Sequence, residues 1–317
     1  MRRILLLIFS TVLITAAAAP IRQQQIGGRS CCNLYDLLTA NGFWMHLNPK
    51  YSLAKKQSVQ LHFERNQRRY TLNGSRVELC FPLADSGGMP YLSVMDWQKS
   101  MRPLLYPATV PKHRVYTVFL DMGHGGNDPG ALGAFSREKN ITLTLGRKVA
   151  AMLRSYGFRV VMSRNRDVQI PLYRVGALQR KSRSDIFVSI HVNSAADRKI
   201  SGIETFCLTP AGAASSNGGK VDKQSLPGNR FDANNIFLAW HIQQNLLKYT
   251  SATDRGVKRA RFAVLKELSA PGVLVEVGFI SNRAEEKKLN QRAYQDKIAA
   301  GITAGIVSYT RSLRKKP

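Results

Sequence analysis

Acidic residues are scarce in this chain of 317 residues, where 20 Asp and Glu stand against 47 Lys and Arg and the net charge is +27. A surface so poor in negative charge favours polyanionic partners such as nucleic acid, anionic lipid headgroups or acidic envelope polymers. Charge alone does not choose among them. The sequence also lacks a zinc finger and an aromatic RNA-binding box, so no nucleic-acid partner is predicted.

Cysteine is also scarce, since Cys31, Cys32, Cys80 and Cys207 are the four in the chain. Four cysteines in a chain of this length exclude a disulfide scaffold, and the absence of a Cys-x-x-Cys spacing excludes a thiolate zinc site of that kind. In an exported protein, one bridge from Cys31 or Cys32 to Cys80 remains open. The apolar run around Cys207 predicts a buried thiol.

Long apolar runs are absent except at the N-terminus, over residues 4–14. This run follows Arg2 and Arg3 and precedes a string of alanines, which is the layout of a signal peptide over residues 1–18. It is short for a membrane span, and an uncleaved anchor is the alternative. We therefore predict export to the periplasm or the extracellular part of the cell envelope, with no transmembrane segment after cleavage and with acidic envelope polymers as further partners.

The first part of the exported chain is predicted to be a small α+β module over residues 31–106. Helix-like spacing in NLYDLLTANGFWMHL is followed by short alternating runs, and the pair Asn73-Gly74 between two such runs is a hairpin signal. The polar residues 23–30 before the module are predicted to be flexible. Prolines at positions 103, 107 and 111 mark the boundary that follows.

Residues 114–313 are predicted to form a second domain, of the α/β class. Runs such as VFLDMG, IFVSIHVN and GVLVEVGF alternate with helical segments, which favours a mixed, mostly parallel sheet flanked by helices on both faces. Sites in such folds lie beyond the carboxyl ends of strands. Helices are expected at about 140–156, 172–181, 234–248 and 291–313, and FAVLKE at 262–267 is interpreted as a strand.

Histidines and carboxylates stand at the predicted strand ends. His124 lies in the loop DMGHGGNDPG, His191 ends IFVSIHVN, Glu276 interrupts an apolar strand and Glu138 precedes a helix. A catalytic zinc usually takes three protein ligands and leaves one position open. The alternatives are a satisfied core histidine, a buried ion pair for Glu276 and a favourable first-turn acid for Glu138. Spacing alone leaves both interpretations open.

Five motifs, in this order, resemble a known family: VFLDMGHGGNDPGALG, REKNITLTLGRKVAAMLRSYGFRVVMSR, SDIFVSIHVNS, GIETF and PGVLVEVGFISN. Over about residues 115–312 the chain closely resembles the zinc-dependent N-acetylmuramoyl-L-alanine amidases of bacterial cell-wall turnover. The resemblance implies that His124, Glu138 and His191 bind one zinc ion per chain. It also implies that Glu276 is the catalytic carboxylate.

The resemblance further implies a reaction and a partner. The expected reaction is hydrolysis of the amide between N-acetylmuramic acid and L-alanine in peptidoglycan, with a zinc-activated water. The chain has no GxSxG motif, which disfavours an acyl-enzyme. Two alternatives remain open: a zinc hydrolase of another envelope bond, and a module that binds acidic envelope polymers without turnover.

Other residues are assigned roles around this centre. Asp121 is interpreted either as a group that orients a metal ligand or as a turn residue, and Asn234 as a residue that faces the substrate. Arg164, Asp167 and Arg174 match family positions and are interpreted as structural ion-pair and capping residues.

The N-terminal module has its own resemblance. GFWMHL, LNGSRVELCFPL and YLSVMDWQKSMRPLL resemble the copper amine oxidase N-terminal-like domain. This implies an accessory that helps to hold or position the enzyme in the envelope. No copper chemistry is expected, because His46 and His62 are isolated in the sequence.

Residues 209–230 contain glycines and prolines, the poorest helix formers. Some amidases of the resembled family carry a helical insertion that covers the zinc site, and this segment is not expected to form one. The chain is therefore expected to be at least partly active without an activator. Lys220 and Lys223 are expected to border the substrate groove.

Overall fold

The structure, a computed structural model, describes residues 20–314, so the predicted signal peptide lies outside it. No helix within that range is long and apolar enough to cross a membrane. Strands β1 (Gln23–Ile26) and β2 (Arg29–Asn33) form an antiparallel hairpin. The predicted flexibility of residues 23–30 is therefore wrong, because Gly27 and Gly28 supply the positive φ of a two-residue turn.

The N-terminal part otherwise follows its local signals. Helix α1 (Leu34–Ala40) begins where the Asn33 side chain accepts a hydrogen bond from the Asp36 amide, and it buries its leucines. Asn73 and Gly74 have φ values of 50° and 84° and join two strands, so the predicted hairpin is confirmed. The further elements are β3 (Trp44–Leu47), β4 (Tyr51–Lys56), β5 (Val59–Glu64), β6 (Arg69–Leu72), β7 (Ser75–Glu78), β8 (Ala84–Ser86), β9 (Met89–Ser93), α2 (Val94–Asp96), a π-helical turn (Trp97–Met101) and α3 (Arg102–Leu105).

The C-terminal part alternates strands and helices as predicted, with helix ends within about two residues of the expected ones. Its elements are β10 (Thr117–Met122), α4 (Glu138–Ser155), β11 (Arg159–Met162), α5 (Leu172–Ser182), β12 (Ile186–Asn193), β13 (Ile203–Leu208), β14 (Ala213–Ser215), β15 (Gly218–Asp222), α6 (Asp232–Thr250), β16 (Asp254–Ala260), α7 (Ala263–Lys266), β17 (Gly272–Phe279), α8 (Arg283–Leu289) and α9 (Arg292–Arg314).

One sheet of 11 strands runs through both parts, in the order β11-β10-β12-β17-β13-β16-β7-β6-β5-β4-β3. Strands β11, β10, β12 and β17 are parallel, whereas β13 and β16 run antiparallel to them. This confirms the predicted mixed sheet. The carboxyl ends of β10, β12 and β17 therefore meet at one edge, and those of β13 and β16 lie at the opposite edge. The two parts join where Val257 of β16 pairs with Val77 of β7.

The two faces of the sheet carry separate cores. Val118 and Leu120 of β10 belong to a large core that extends into the N-terminal part, under helices α4, α6 and α9. Phe119, Phe187 and Phe206 belong to a smaller core on the other face, under α5 and α7. We call this second face of the sheet the cleft face. Since side chains alternate along a strand, His191 and Glu276 also lie on the cleft face.

The interpretation of FAVLKE as a strand is wrong. Ala263–Lys266 form α7, and the strand is β16 just before it. The charged residues Arg255 and Lys258 obscure the apolar alternation of β16 in the sequence. In the structure both are paired with buried Glu204 of β13, at 2.9 Å and 2.5 Å. This partner is distant in sequence, so the local pattern does not indicate a strand.

Buried polar contacts tie the two parts together. Arg259 is fully buried and donates hydrogen bonds to the carbonyls of Leu208 and Lys99. All four cysteines are buried free thiols. This confirms the prediction for Cys207, and the bridge considered for Cys80 is not formed between the described residues.

Residues 209–230 fold into the hairpin β14-β15 and a short 3₁₀ turn, with no α-helix in the segment. The Arg261 guanidinium donates to the carbonyls of Pro210, Ala213 and Asp222, and Arg68 donates to those of Ala214 and Ser215. The hairpin follows β13, so it starts at the edge of the sheet opposite His191. The expectation that it borders the groove around His124 is therefore wrong.

Candidate metal centre

The loop after β10 holds His124 in a left-handed conformation, with φ of 63°. This region is uncommon for residues other than glycine and often marks a functional site. Two glycines leave space for the side chains that meet here. A Cβ on Gly123 would lie 2.3 Å from His191 Cε1, and a Cβ on Gly130 would lie 2.6 Å from Glu138 Oε2. The loop therefore allows three polar side chains to approach one point.

Glu138 lies between the two histidines. It is the first residue of α4 and is buried. Its Oε2 lies 3.2 Å from His124 Nε2, and its Oε1 lies 2.9 Å from His191 Nδ1. One possible ligand atom from each of the three side chains lies within 4.8 Å of the others. The structure thus brings the three predicted ligands together from a loop, a helix start and a strand end.

The charges in this cluster stabilise one another. The hydrogen bond with Glu138 raises the pKa of His124 to about 9, with help from Asp128 and against the effect of burial. Burial favours a higher pKa for Glu138, but hydrogen bonds from His124 and His191 outweigh it and hold that pKa well below its usual range. Burial lowers the pKa of His191, and its hydrogen bond with Glu138 more than compensates, so that pKa is raised. The two histidines therefore hold Glu138 in its ionised form.

Glu276 lies beside this cluster, as the cross-strand neighbour of His191 in β12 and of Glu204 in β13. It is buried, and its Oε2 accepts no hydrogen bond from a described residue. Burial raises the pKa of Glu276 to about 8, the nearby charges of Glu138 and Glu204 add to the increase, and His191 opposes it. A buried carboxyl oxygen without a hydrogen-bond partner costs free energy of folding, and such groups occur preferentially at functional sites.

A cleft of about 330 Å³ opens at this edge of the sheet. Its lining includes the polar residues Asp121, His124, Asp128 and His191 and the apolar residues Ile170, Leu172, Val175 and Val264. A separate cavity of about 390 Å³ is lined by Leu132, Arg198 and Arg283 and by none of the three clustered residues. The smaller cleft is therefore the one that can present a substrate to the cluster.

Sequence reasoning missed Asp128. Its carboxylate lies 2.8 Å from His124 Nδ1, so it orients the ring with Nε2 toward Glu138. Carboxylates that hydrogen-bond a metal-binding histidine fix its tautomer and raise its basicity. The available signal was weak, since Asp128 is simply the fourth residue after His124 in a loop that reads as a turn.

Three further residues are structural to different degrees. Arg164 is buried and donates to the carbonyls of Met122 and Gly123, so it caps the end of β10 and forms no ion pair with a described residue. Asp167 pairs with Lys139 at 2.7 Å, as expected. Arg174 is exposed on α5.

Asp121 and Asn234 do not have the contacts that were expected. Asp121 lines the cleft, but its carboxylate accepts a hydrogen bond from Ser189, and Asp128 is the residue that bonds a candidate ligand. The amide of Asn234 donates to the Pro111 carbonyl and the Tyr309 hydroxyl. The predicted substrate contact of Asn234 in this cleft is wrong, because α6 covers the opposite face of the sheet.

Replacing Gly130 with alanine is expected to weaken metal binding by about 10- to 100-fold, because the new Cβ would displace Glu138 and His124. Gly28→Ala is the matched control. Gly28 has φ of 72° against 66° for Gly130, and nothing lies within 4 Å of its added Cβ. Zinc titration of both variants checks the prediction, and equal affinities would contradict it.

Comparisons with known proteins agree with this geometry. A family model, Amidase_3, described as N-acetylmuramoyl-L-alanine amidase, matches residues 118–308. The amidase AmiA of Escherichia coli (strain K12) is 33% identical over 217 residues, which cover 61% of this chain and 75% of AmiA. The crystal structure of an N-acetylmuramoyl-L-alanine amidase from Clostridium difficile 630 has 33% sequence identity and a TM-score of 0.53, and the match covers 63% of this chain and 98% of that one.

Some relatives extend well beyond the match. AmiC of Escherichia coli O6:H1 is 34% identical over an alignment of 228 residues, and the match covers 64% of this chain and 55% of AmiC. The chain therefore spans little more than half of that protein. The family match contains all four of His124, Glu138, His191 and Glu276.

Proposed function

This chain belongs to the Amidase_3 family of N-acetylmuramoyl-L-alanine amidases, and from that premise we propose that it hydrolyses the amide between N-acetylmuramic acid and L-alanine in peptidoglycan. The observation that carries the proposal is the cluster of His124, Glu138 and His191 beside the buried, unpartnered carboxyl of Glu276. Peptidoglycan lies outside the cytoplasmic membrane, so the proposal includes export by the signal peptide in residues 1–18.

The donor set suits one zinc ion. Two imidazoles and one carboxylate are a ligand set of catalytic zinc sites, and three protein ligands leave one position open. His124 would bind through Nε2, because Asp128 occupies its Nδ1. When bound, zinc lowers the pKa of a coordinated water and polarises the carbonyl of the substrate.

Glu276 is the proposed general base and acid. Its carboxylate takes a proton from the attacking water, whose oxygen bonds to the amide carbon. Glu276 then passes that proton to the nitrogen as the C–N bond breaks. The products are the free carboxyl of the lactyl group and a stem peptide with an amino-terminal L-alanine. Glu276 is the cross-strand neighbour of His191, a position that suits it to both proton transfers.

A defined muropeptide tests this proposal. The purified chain, loaded with zinc and given no activator protein, should convert N-acetylmuramoyl-tripeptide into the sugar acid and the free tripeptide, as read by mass spectrometry. Intact substrate would contradict the amidase proposal together with the expectation that the chain is active without an activator. Cleavage at a different amide would identify a zinc hydrolase of another envelope bond.

Zinc affinity is expected to rise with pH. The pKa of His124 is about 9 without metal, above the ordinary 6.5, so this histidine must lose a proton to bind. Glu138 is already ionised, because its pKa is lowered. Because the pKa of His191 is raised as well, the apparent Kd should fall by at least about tenfold per pH unit from pH 7 towards pH 9 and then level off. Competition with a chromophoric chelator measures it, and a constant Kd over this range would refute the prediction.

A further inference from the structure

We propose that the uncovered cleft face of the N-terminal strands binds the glycan strand of peptidoglycan and leads it to the metal cluster. We call this surface the aromatic face; it consists of Trp44, His46, Tyr51, Leu53, His62, Thr71 and Arg76. The choice of glycan as occupant rests on the proposed function.

The aromatic face is in direct register with the candidate site. The cross-strand neighbours of Glu276 and then Glu204 lead to Gly256 of β16, whose added Cβ would lie 2.9 Å from Arg76 Cβ. The same row then runs from Arg76 across the N-terminal strands, through Thr71, His62, Leu53 and His46. One row of cross-strand neighbours, with a gap at Gly256, therefore connects the candidate base to the far edge of the sheet.

Over the N-terminal strands this row is exposed at His46 and Arg76 and half-buried at Leu53, His62 and Thr71. Helices α5 and α7 lie on the same face but pack on β10, β13 and β17. The side chains that alternate with the row, such as Phe63 and Tyr70, point into the large core instead. Trp44 is 60% exposed. Within residues 20–314, no helix packs on β4 to β7 as α5 and α7 pack on the other half of the sheet.

The rings form a continuous strip. Trp44 and His46 stack at 6.2 Å between centroids with an angle of 13°, His46 and Tyr51 are 6.3 Å apart, and Tyr51 and His62 are 5.5 Å apart. Flat rings with polar tips suit the apolar C–H faces of sugars. Thr71 and Arg76 add hydrogen-bonding groups beside the strip.

The charge of this surface favours a glycan over a polyanion as its ligand. The chain as a whole carries +27, yet this face over β4 to β7 has three basic residues, Lys55, Arg69 and Arg76, against the acidic Glu64 and Glu78. A nearly balanced surface is a poor docking site for an anionic lipid or polymer. It suits a sugar chain whose charges lie on its stem peptides.

The length of the row sets the size of the ligand. Seven strand-to-strand steps separate β3 from β17, or about 34 Å at about 4.8 Å per step. A single sugar with its stem peptide reaches the cluster without touching Trp44. A long glycan strand touches both the cluster and Trp44. Substitutions in the aromatic face should therefore affect the binding of long substrates only.

The test uses the full chain and long, uncharged chitin oligosaccharide strands, which share the β-1,4-linked sugar backbone of the glycan but have no lactyl carboxyl and no stem-peptide amide for an amidase to cut. The double variant Trp44→Ala/Tyr51→Ala is expected to raise Kd for these strands at least tenfold in surface plasmon resonance. On intact sacculi it should raise KM with kcat unchanged, and hydrolysis of N-acetylmuramoyl-tripeptide should not change. Because Trp44 is largely exposed, the single variant Trp44→Ala provides the same test without affecting the core.

The matched control is Tyr156→Ala/Tyr249→Ala, which removes two exposed rings from the ends of α4 and α6 and should change Kd by less than twofold. Unchanged glycan binding by the Trp44 variants would overturn the proposal. An equal loss in the control would also overturn it, as would a loss seen only with phosphatidylglycerol vesicles. If the wild type binds glycan but cleaves no muropeptide, the proposed function fails while the aromatic face stands.

Discussion

Glu276→Gln is expected to lower turnover of N-acetylmuramoyl-tripeptide by about a hundredfold or more while the chain still binds one zinc ion. Glutamine keeps the size of the side chain but cannot take a proton from water. Glu276 is outside the three-residue donor cluster, so metal content should be preserved. Steady-state rates and metal analysis of the same preparation measure the two effects.

Two comparisons make this result specific. Glu64→Gln neutralises an exposed glutamate on the same face of the sheet and should leave both rate and metal content unchanged. The thermal unfolding temperature should not fall in Glu276→Gln, because a neutral amide removes a buried ionisable group. A Glu276→Gln enzyme of nearly normal rate would refute the assigned mechanism.

His191→Ala is expected to abolish most zinc retention and, with it, most activity. The substitution removes one of three donors and leaves Glu138 Oε1 without its 2.9 Å partner. Affinity should fall by more than the 10- to 100-fold typical of residues that only support ligands. Dialysis against a weak chelator, followed by metal analysis and the muropeptide assay, measures both losses.

His46→Ala is the matched control for that variant, because His46 is exposed on β3 and far from the cluster. Its zinc content and its rate on the short muropeptide should match the wild type. Full zinc retention and full activity in His191→Ala would remove His191 from the ligand set. A folded His191→Ala protein that regains activity only at high zinc concentration would support the assignment.

Local signals predicted local structure well. The turn at Asn73-Gly74 formed because two-residue hairpins need two positive φ values, and helix α1 began at a residue able to cap it. The sheet class also followed from the alternation of strands and helices. The Gly27-Gly28 turn carries the same signal, but the surrounding polarity of residues 23–30 obscured it.

The errors arose where distant partners decide the outcome. Arg255 and Lys258 lie in a strand because buried Glu204 neutralises them. Asn234 lies on the face away from the cleft because α6 packs there to bury its apolar side. Neither partner is visible within a window of a few residues.

The sequence by itself determined the chemistry available at this site: two histidines and two glutamates near strand and helix ends, with glycines that allow close approach. It could do so because residue type and backbone freedom are local properties. Only the tertiary structure decided that Asp128 orients His124, that β13 runs antiparallel to β17 and carries residues 209–230 away from the cleft, and that one row of cross-strand neighbours links Glu276 to His46. These depend on strand order and direction, which arise from burying both faces of one sheet and which no local stretch of sequence encodes.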